Sequence, residues 1–125
     1  MGYKMIIFSL DTTTRPATDA ERLSVIQVLN ATPVLGVYKG ELESSFMVED
    51  KHLTDVLFLA YKYKQECVLQ YDDSGVYLIY PSSGSGTLQA TKQRIGDYMS
   101  LESKKPDVDA YTIVNNGFMV AKKRD

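Results

Sequence analysis

Residues 34–48 read Val34-Leu-Gly-Val-Tyr38, Lys39-Gly40, Glu41-Leu-Glu-Ser-Ser-Phe-Met-Val48. Two β-branched and aromatic runs separated by a Lys-Gly pair are the pattern of two strands joined by a tight turn. What flanks them decides the architecture. Upstream, Thr18-Asp-Ala-Glu21 matches a capping box, with the Thr18 hydroxyl covering the Glu21 amide and the Glu21 carboxylate reaching back. Leu23, Ile26 and Leu29 follow at helical spacing, Val25 and Val28 widen the stripe, and Asn30 and Pro33 end the helix. Downstream, Asp50 is a candidate N-cap, and Leu53, Val56, Leu57 and Ala60 form the stripe of a second helix running to Lys64. The apolar run 3–10 reads as a strand before the first helix, and residues 66–71 as a strand after the second. Asp72-Asp73-Ser74-Gly75 then turns the chain into a strand over residues 76–80.

The element order is therefore βαββαβ plus one strand. Right-handed crossovers turn it into an α+β, ferredoxin-like sandwich: a mixed sheet with two helices, extended by extra strands and a C-terminal hairpin. A meander with two helices on one face is the competing arrangement. Residues 81–87 read as a flexible Ser/Gly loop. Leu88, Lys92, Ile95 and Met99 recur near helical spacing, interrupted by Gly96. Asn115-Asn116-Gly117 predicts a type I′ hairpin, and residues 122–125 a basic tail. At 125 residues the chain is expected to form one domain.

Composition narrows the function. With 44% apolar and 24% charged residues, disorder, collagen and coiled coil are excluded. The longest apolar runs fall far short of the ~18 residues of a membrane span. A net charge of −2 argues against a broad cationic surface for nucleic acid. One cysteine and one histidine cannot furnish a Cys/His zinc site, and Cys67 reads as a small buried hydrophobe in a strand. The cytoplasm is the expected compartment, and no cofactor is implied.

In the βαββαβ arrangement the first and third strands are expected to lie parallel, so that both helices start at one border of the sheet. Two adjacent helix N-termini favour an anion, with Thr12, Thr13 and Arg15 from the first loop and His52 from the second beside them. The competing reading is that Thr18, Asp19, Glu21 and Asp50 already satisfy those termini. Ser83 and Ser85 with Lys92 and Arg94 offer a second phosphate cradle, although neither a P-loop nor a dinucleotide fingerprint is present. Asp72-Asp73 and the Asp107/Asp109 pair are carboxylate pairs that could hold a hard cation only with further ligands, and turn chemistry explains Asp72-Asp73-Ser74-Gly75 without a metal. Tyr77 and Tyr80 fall on opposite faces of one strand, and core packing accounts for them better than base stacking.

Glu43-Ser-Ser-Phe46-Met-Val48 and Leu59-Ala60-Tyr61-Lys-Tyr63-Lys-Gln65-Glu-Cys-Val68 resemble a bacterial and phage domain family of unknown function. They match its E-x-S-F-x-V strand and its L-A-x-x-aromatic-x-Q helix-to-strand passage, within residues 6–71 only. The family's Asn-Pro after the first strand is replaced here by Leu10-Asp11. The resemblance implies that Glu43 and Gln65 matter, and it carries no activity.

A compact acidic chain without a recognisable catalytic set is expected to be a non-enzymatic modulator, of the kind phages encode. Its expected partner is a host protein or an anionic small molecule, with no membrane and no nucleic acid, and self-association stays open. The alternatives are a phosphoester- or nucleotide-handling enzyme using Arg15 or Lys92, and a nucleic-acid module using Tyr77 or Tyr80.

Overall fold

The computed structural model describes residues 4–11, 15–84 and 87–124, with residues 83 and 84 described by their backbone only. The strands are β1 (Met5–Ser9), β2 (Thr32–Tyr38), β3 (Glu41–Glu49), β4 (Val68–Asp72), β5 (Gly75–Gly84), β6 (Thr87–Gly96), β7 (Tyr98–Glu102), β8 (Tyr111–Val114) and β9 (Gly117–Lys122). The helices are α1 (Asp19–Leu29) and α2 (Leu53–Lys62), the latter entered through a 3-10 turn at Asp50–His52. All strands pair into one antiparallel sheet in the order β6-β5-β4-β1-β3-β2-β8-β9-β7.

A ferredoxin-like sandwich is therefore not the architecture. The βαββαβ order is present, but its sheet is continued on both sides, by β5 and β6 beyond β4 and by β8, β9 and β7 beyond β2. Strand twist accumulated over nine strands curls the sheet into a nearly closed barrel. Its ends approach where β6 runs out. The Asp97 amide donates to the Lys122 carbonyl at 2.7 Å. A Cβ on Gly96 would lie 3.0 Å from the Ala121 Cβ, so any larger residue there would push the two strands apart by a few tenths of an ångström.

A second correction matters more for function. β1 runs antiparallel to β3, with Met5 opposite Glu49 and Ser9 opposite Ser45. The end of β1, which leads to α1, therefore lies at the border opposite the end of β3, which leads to α2. The two helix N-termini are not neighbours, and the expected anion pocket between them does not form. Instead the start of α1 meets the end of α2, where the Tyr63 hydroxyl donates to Glu21 and the Gln65 amide to the Asp11 carbonyl.

Strand alternation sorts the residues between two faces. Ile6 and Phe8 of β1, Phe46 and Val48 of β3, Val68 of β4 and Ile79 of β5 form the core with Val25, Leu29, Val56 and Ala60 of the helices. The Phe8 and Phe46 rings pack with centroids 5.8 Å apart. Of the apolar positions proposed for the first helix, Val25 and Leu29 are buried while Leu23 and Val28 face solvent. Residues 88–99, expected as an interrupted helix, lie in β6 and β7. Long-range pairing of Val76–Gly84 with Thr87–Gly96 overrides their weak helical spacing. Pro81 to Gly84, expected in a loop, belong to β5; residues 85 and 86 lie outside the described residues.

The left-handed turn falls elsewhere than expected. Lys39 and Gly40 have φ of +52° and +79°, the pair of positive values a type I′ hairpin requires, whereas Asn115 and Asn116 are not left-handed. The expected basic tail is partly structured: Lys122 lies in β9 and pairs with Glu102 at 3.0 Å. No described helix is long and apolar enough to cross a membrane.

Phe46 is 2% exposed at the centre of the core. Phe46→Ala should destabilise the protein by about 3–5 kcal/mol, read as a lowered urea midpoint with an unchanged slope.

Candidate functional site

The antiparallel register brings six chain segments to one border of the sheet. These are the end of β1 with Ser9 to Asp11, the start of α1, the end of β2, the start of β3, the end of α2 and the entry to β4. Asp11 ties the first three contacts together. Its carboxylate accepts from the Ala17 amide at 2.9 Å and from Arg22 at 3.0 Å, its amide donates to the Ser9 hydroxyl at 3.0 Å, and its carbonyl receives Gln65.

Glu21 is the second anchor. The capping box forms as the spacing dictates: the Thr18 amide donates to Glu21 at 2.8 Å and the Glu21 amide to the Thr18 hydroxyl at 3.1 Å. Arg15 grips the same carboxylate with two bonds of 3.0 and 3.1 Å, and Tyr63 adds its hydroxyl. Hydrogen bonding from Arg15, then from the Thr18 amide and the Tyr63 hydroxyl, holds the Glu21 carboxyl far below the usual carboxylate range. The same partner raises Arg15.

Glu43 behaves in the opposite way. It is half-buried on the inner face of the curled sheet, on the same side as Ser9 and Ser45. Burial pushes its carboxyl up, the Ser9 hydroxyl opposes that shift, and the nearby charges of Asp11 and Glu41 reinforce it. None of the ion pairs among the described residues includes Glu43. Beside it, Cys67 is half-buried and its thiol is pushed up by burial, with Tyr38 opposing. The Tyr38 hydroxyl donates to Glu66 at 2.7 Å, and Lys39 bonds both oxygens of Glu66 at 3.1 Å. Desolvation first, then Glu66, drives the Tyr38 phenol well above its ordinary value. The border thus carries Asp11, Glu21, Glu41, Glu43 and Glu66, while Arg15, Arg22 and Lys39 are already bonded to carboxylates.

Of the residues singled out in the sequence, Arg15, Glu43 and Gln65 meet at this border. Thr12 and Thr13 lie outside the described residues. His52 caps the start of α2 at the opposite border and makes no side-chain capping bond. Lys92 and Arg94 are on the outer face of the β5–β6 hairpin, away from Glu43. Lys92 sits 4.1 Å above the Tyr77 ring, and Arg94 bonds Asp97 at 2.6 Å and the Ser74 carbonyl at 2.7 Å. The Ser83 side chain and Ser85 lie outside the described residues, so the second phosphate cradle is not assembled here. Among the described residues, no group of three or more His, Cys, Asp or Glu is placed to hold a metal ion.

The sequence reading missed Ser9, Asp11 and Tyr38. One signal for the first was available: a serine inside the apolar run Met5 to Leu10 falls on the face opposite Ile6 and Phe8.

Two outcomes follow from these shifts. Glu21 is depressed in the folded state, so its contribution is complete above the ordinary glutamate pKa and disappears as pH falls through the lowered value. Glu21→Gln should therefore lower the thermal midpoint at neutral pH, and the gap from wild type should narrow on acidification. Glu43 is raised, so the folded state binds its proton more tightly and stability falls as pH rises from the ordinary value through the raised one. Glu43→Gln should accordingly raise the thermal midpoint at neutral pH and leave it nearly unchanged in acid.

A family model described as S-Adenosylmethionine lyase family matches residues 10–121. None of the curated proteins matches the chain. The family match reaches well past residue 71, where the resemblance to a family of unknown function stopped. A lyase family is an enzyme family, and this overturns the expectation of a non-enzymatic binding modulator. That expectation rested on the lack of familiar catalytic motifs. With only nine residues at one end and four at the other unmatched, the chain belongs to the S-adenosylmethionine lyase family.

Proposed function

We propose that this protein cleaves a carbon–sulfur bond of S-adenosylmethionine without water or oxidant, and that the Glu43 border receives the substrate's positive charge. The observation that carries this reading is a half-buried carboxylate without a cationic partner among the described residues, set in an acidic border. S-adenosylmethionine supplies two cations, its sulfonium and its α-ammonium. An arriving cation would offset the burial that raises the Glu43 carboxyl, and with it the lesser repulsion from Asp11 and Glu41.

The chemistry asks little of the protein. The bond pair of the broken C–S bond returns to sulfur, so the sulfonium leaves as a neutral thioether, 5′-methylthioadenosine. The four-carbon arm left behind closes on its own carboxylate oxygen, or it forms a double bond by losing a Cβ proton to solvent or to a carboxylate of the border. In both routes the charge on sulfur falls towards the transition state. A carboxylate against the sulfonium would stabilise the ground state more than the transition state. Glu43 is better used on the α-ammonium, whose charge survives the reaction.

Incubation of the purified protein with S-adenosylmethionine should release methylthioadenosine, seen by chromatography and mass spectrometry. Glu43→Gln should raise KM about tenfold, the weight of roughly 1.4 kcal/mol, with a smaller change in kcat. In the wild type, KM should rise as pH falls, with a midpoint above the ordinary glutamate range. Recovery of intact substrate, with no binding by calorimetry, would overturn the reading.

A further inference from the structure

Gly36 is the only buried residue of β2, a strand paired on both sides. A glycine inside such a strand weakens it, and its position often marks the close approach of another group. Here that group can be named. Gly36 lies opposite Glu43 of β3, and a Cβ on it would lie 2.8 Å from the Ser45 hydroxyl oxygen. The missing side chain therefore makes room for the Ser45 hydroxyl, which lies over Gly36 at the pair that holds Glu43.

Ser45 follows Glu43 by two residues on the same face of β3, one step further from the border. It is 6% exposed. A serine hydroxyl has one proton and two lone pairs. The Ser45 proton goes to the Glu43 carbonyl at 3.4 Å, long for a hydroxyl donor, and no described residue donates to its oxygen. Ser9, directly opposite, is fully engaged: it donates to the Ser44 carbonyl at 2.8 Å and accepts from the Asp11 amide at 3.0 Å. A buried hydroxyl with so poor a partner calls for an explanation.

We propose that Ser45 is a substrate-binding residue whose hydroxyl, seated over Gly36, donates to the α-carboxylate of S-adenosylmethionine. The assignment rests on the reading in which Glu43 receives the α-ammonium. Ammonium and carboxylate share one carbon, so a ligand held by Glu43 brings its carboxylate to the next residue on that face. The other donors of the border are taken. Arg15, Arg22 and Lys39 bond Glu21, Asp11 and Glu66, and the Tyr38 hydroxyl donates to Glu66. A neutral donor also suits the chemistry. In the ring-closing route a carboxylate oxygen attacks the carbon bonded to sulfur while the C–S pair returns to sulfur, and Ser45 keeps its proton throughout. A hydroxyl on one oxygen orients the group and leaves the other oxygen charged for attack, where a bound arginine or lysine would restrain it.

The test compares two ligands on the full chain. S-adenosylmethionine is read by the KM of methylthioadenosine release. Decarboxylated S-adenosylmethionine keeps both cations, lacks only the carboxylate, and is read as a competitive inhibitor. Ser45→Ala should raise KM about tenfold, the weight of one hydrogen bond to a charged group, and leave the inhibition constant nearly unchanged. Gly36→Ala, whose added methyl turns the Ser45 hydroxyl aside, should do the same with the serine still present, and it decides the matter if Ser45→Ala does not fold. A serine that only shapes the barrel would weaken both ligands alike. That result, or an unmoved KM in a folded variant, overturns the proposal and leaves the Glu43 reading standing. If the wild type neither binds nor cleaves S-adenosylmethionine, that reading falls and the role of Ser45 falls with it.

Discussion

The antiparallel pairing of β1 with β3 is the constraint on which the site depends. Because Ser9 lies opposite Ser45 and Met5 opposite Glu49, α1 leaves the sheet at one border and α2 at the other. The helices then run in opposite directions, and the positive end of α1 meets the negative end of α2. Tyr63 and Gln65, at the end of α2, reach Glu21 and Asp11 for this reason alone. A parallel pairing would have put two positive helix ends together and made an anion site. The pairing present makes an acidic border instead.

Within that border, the carboxylates divide by their partners. Asp11, Glu21 and Glu66 are each held by an arginine or a lysine, which makes them structural. Glu43 has no ion-pair partner among the described residues to offset its burial and its like-charged neighbours.

Local features were legible in the residues. The capping box at Thr18 and Glu21 depends on atoms three residues apart, and it forms as its spacing requires. α2 was readable from its stripe, because Val56 and Ala60 recur at helical spacing and both are fully buried. The hairpin at Lys39-Gly40 was readable because a Lys-Gly pair separates two runs of strand-forming residues, although the left-handed geometry found there was expected at Asn115-Asn116. Glu43 and Gln65 stood out through a motif resemblance, and both lie at the border. The failures share one cause. The long β5–β6 hairpin was hidden because Leu88, Lys92, Ile95 and Met99 recur near helical spacing, and their conformation is decided by the strand they pair with, not by each other. His52, Lys92 and Arg94 were chosen for their chemistry, and the barrel carries them to places remote from Glu43.

The sequence by itself determined the number and kind of most elements up to residue 80, the helix start at Thr18, and the slightly acidic balance of the chain. Those properties belong to neighbours in the chain, whose distances are set by covalent geometry. Only the tertiary structure decided which strands lie side by side, in which direction, and how far the sheet continues beyond them. These depend on contacts between residues as far apart as Ser9 and Ser44, or Asp97 and Lys122, whose meeting is set by burial and twist summed over the whole sheet.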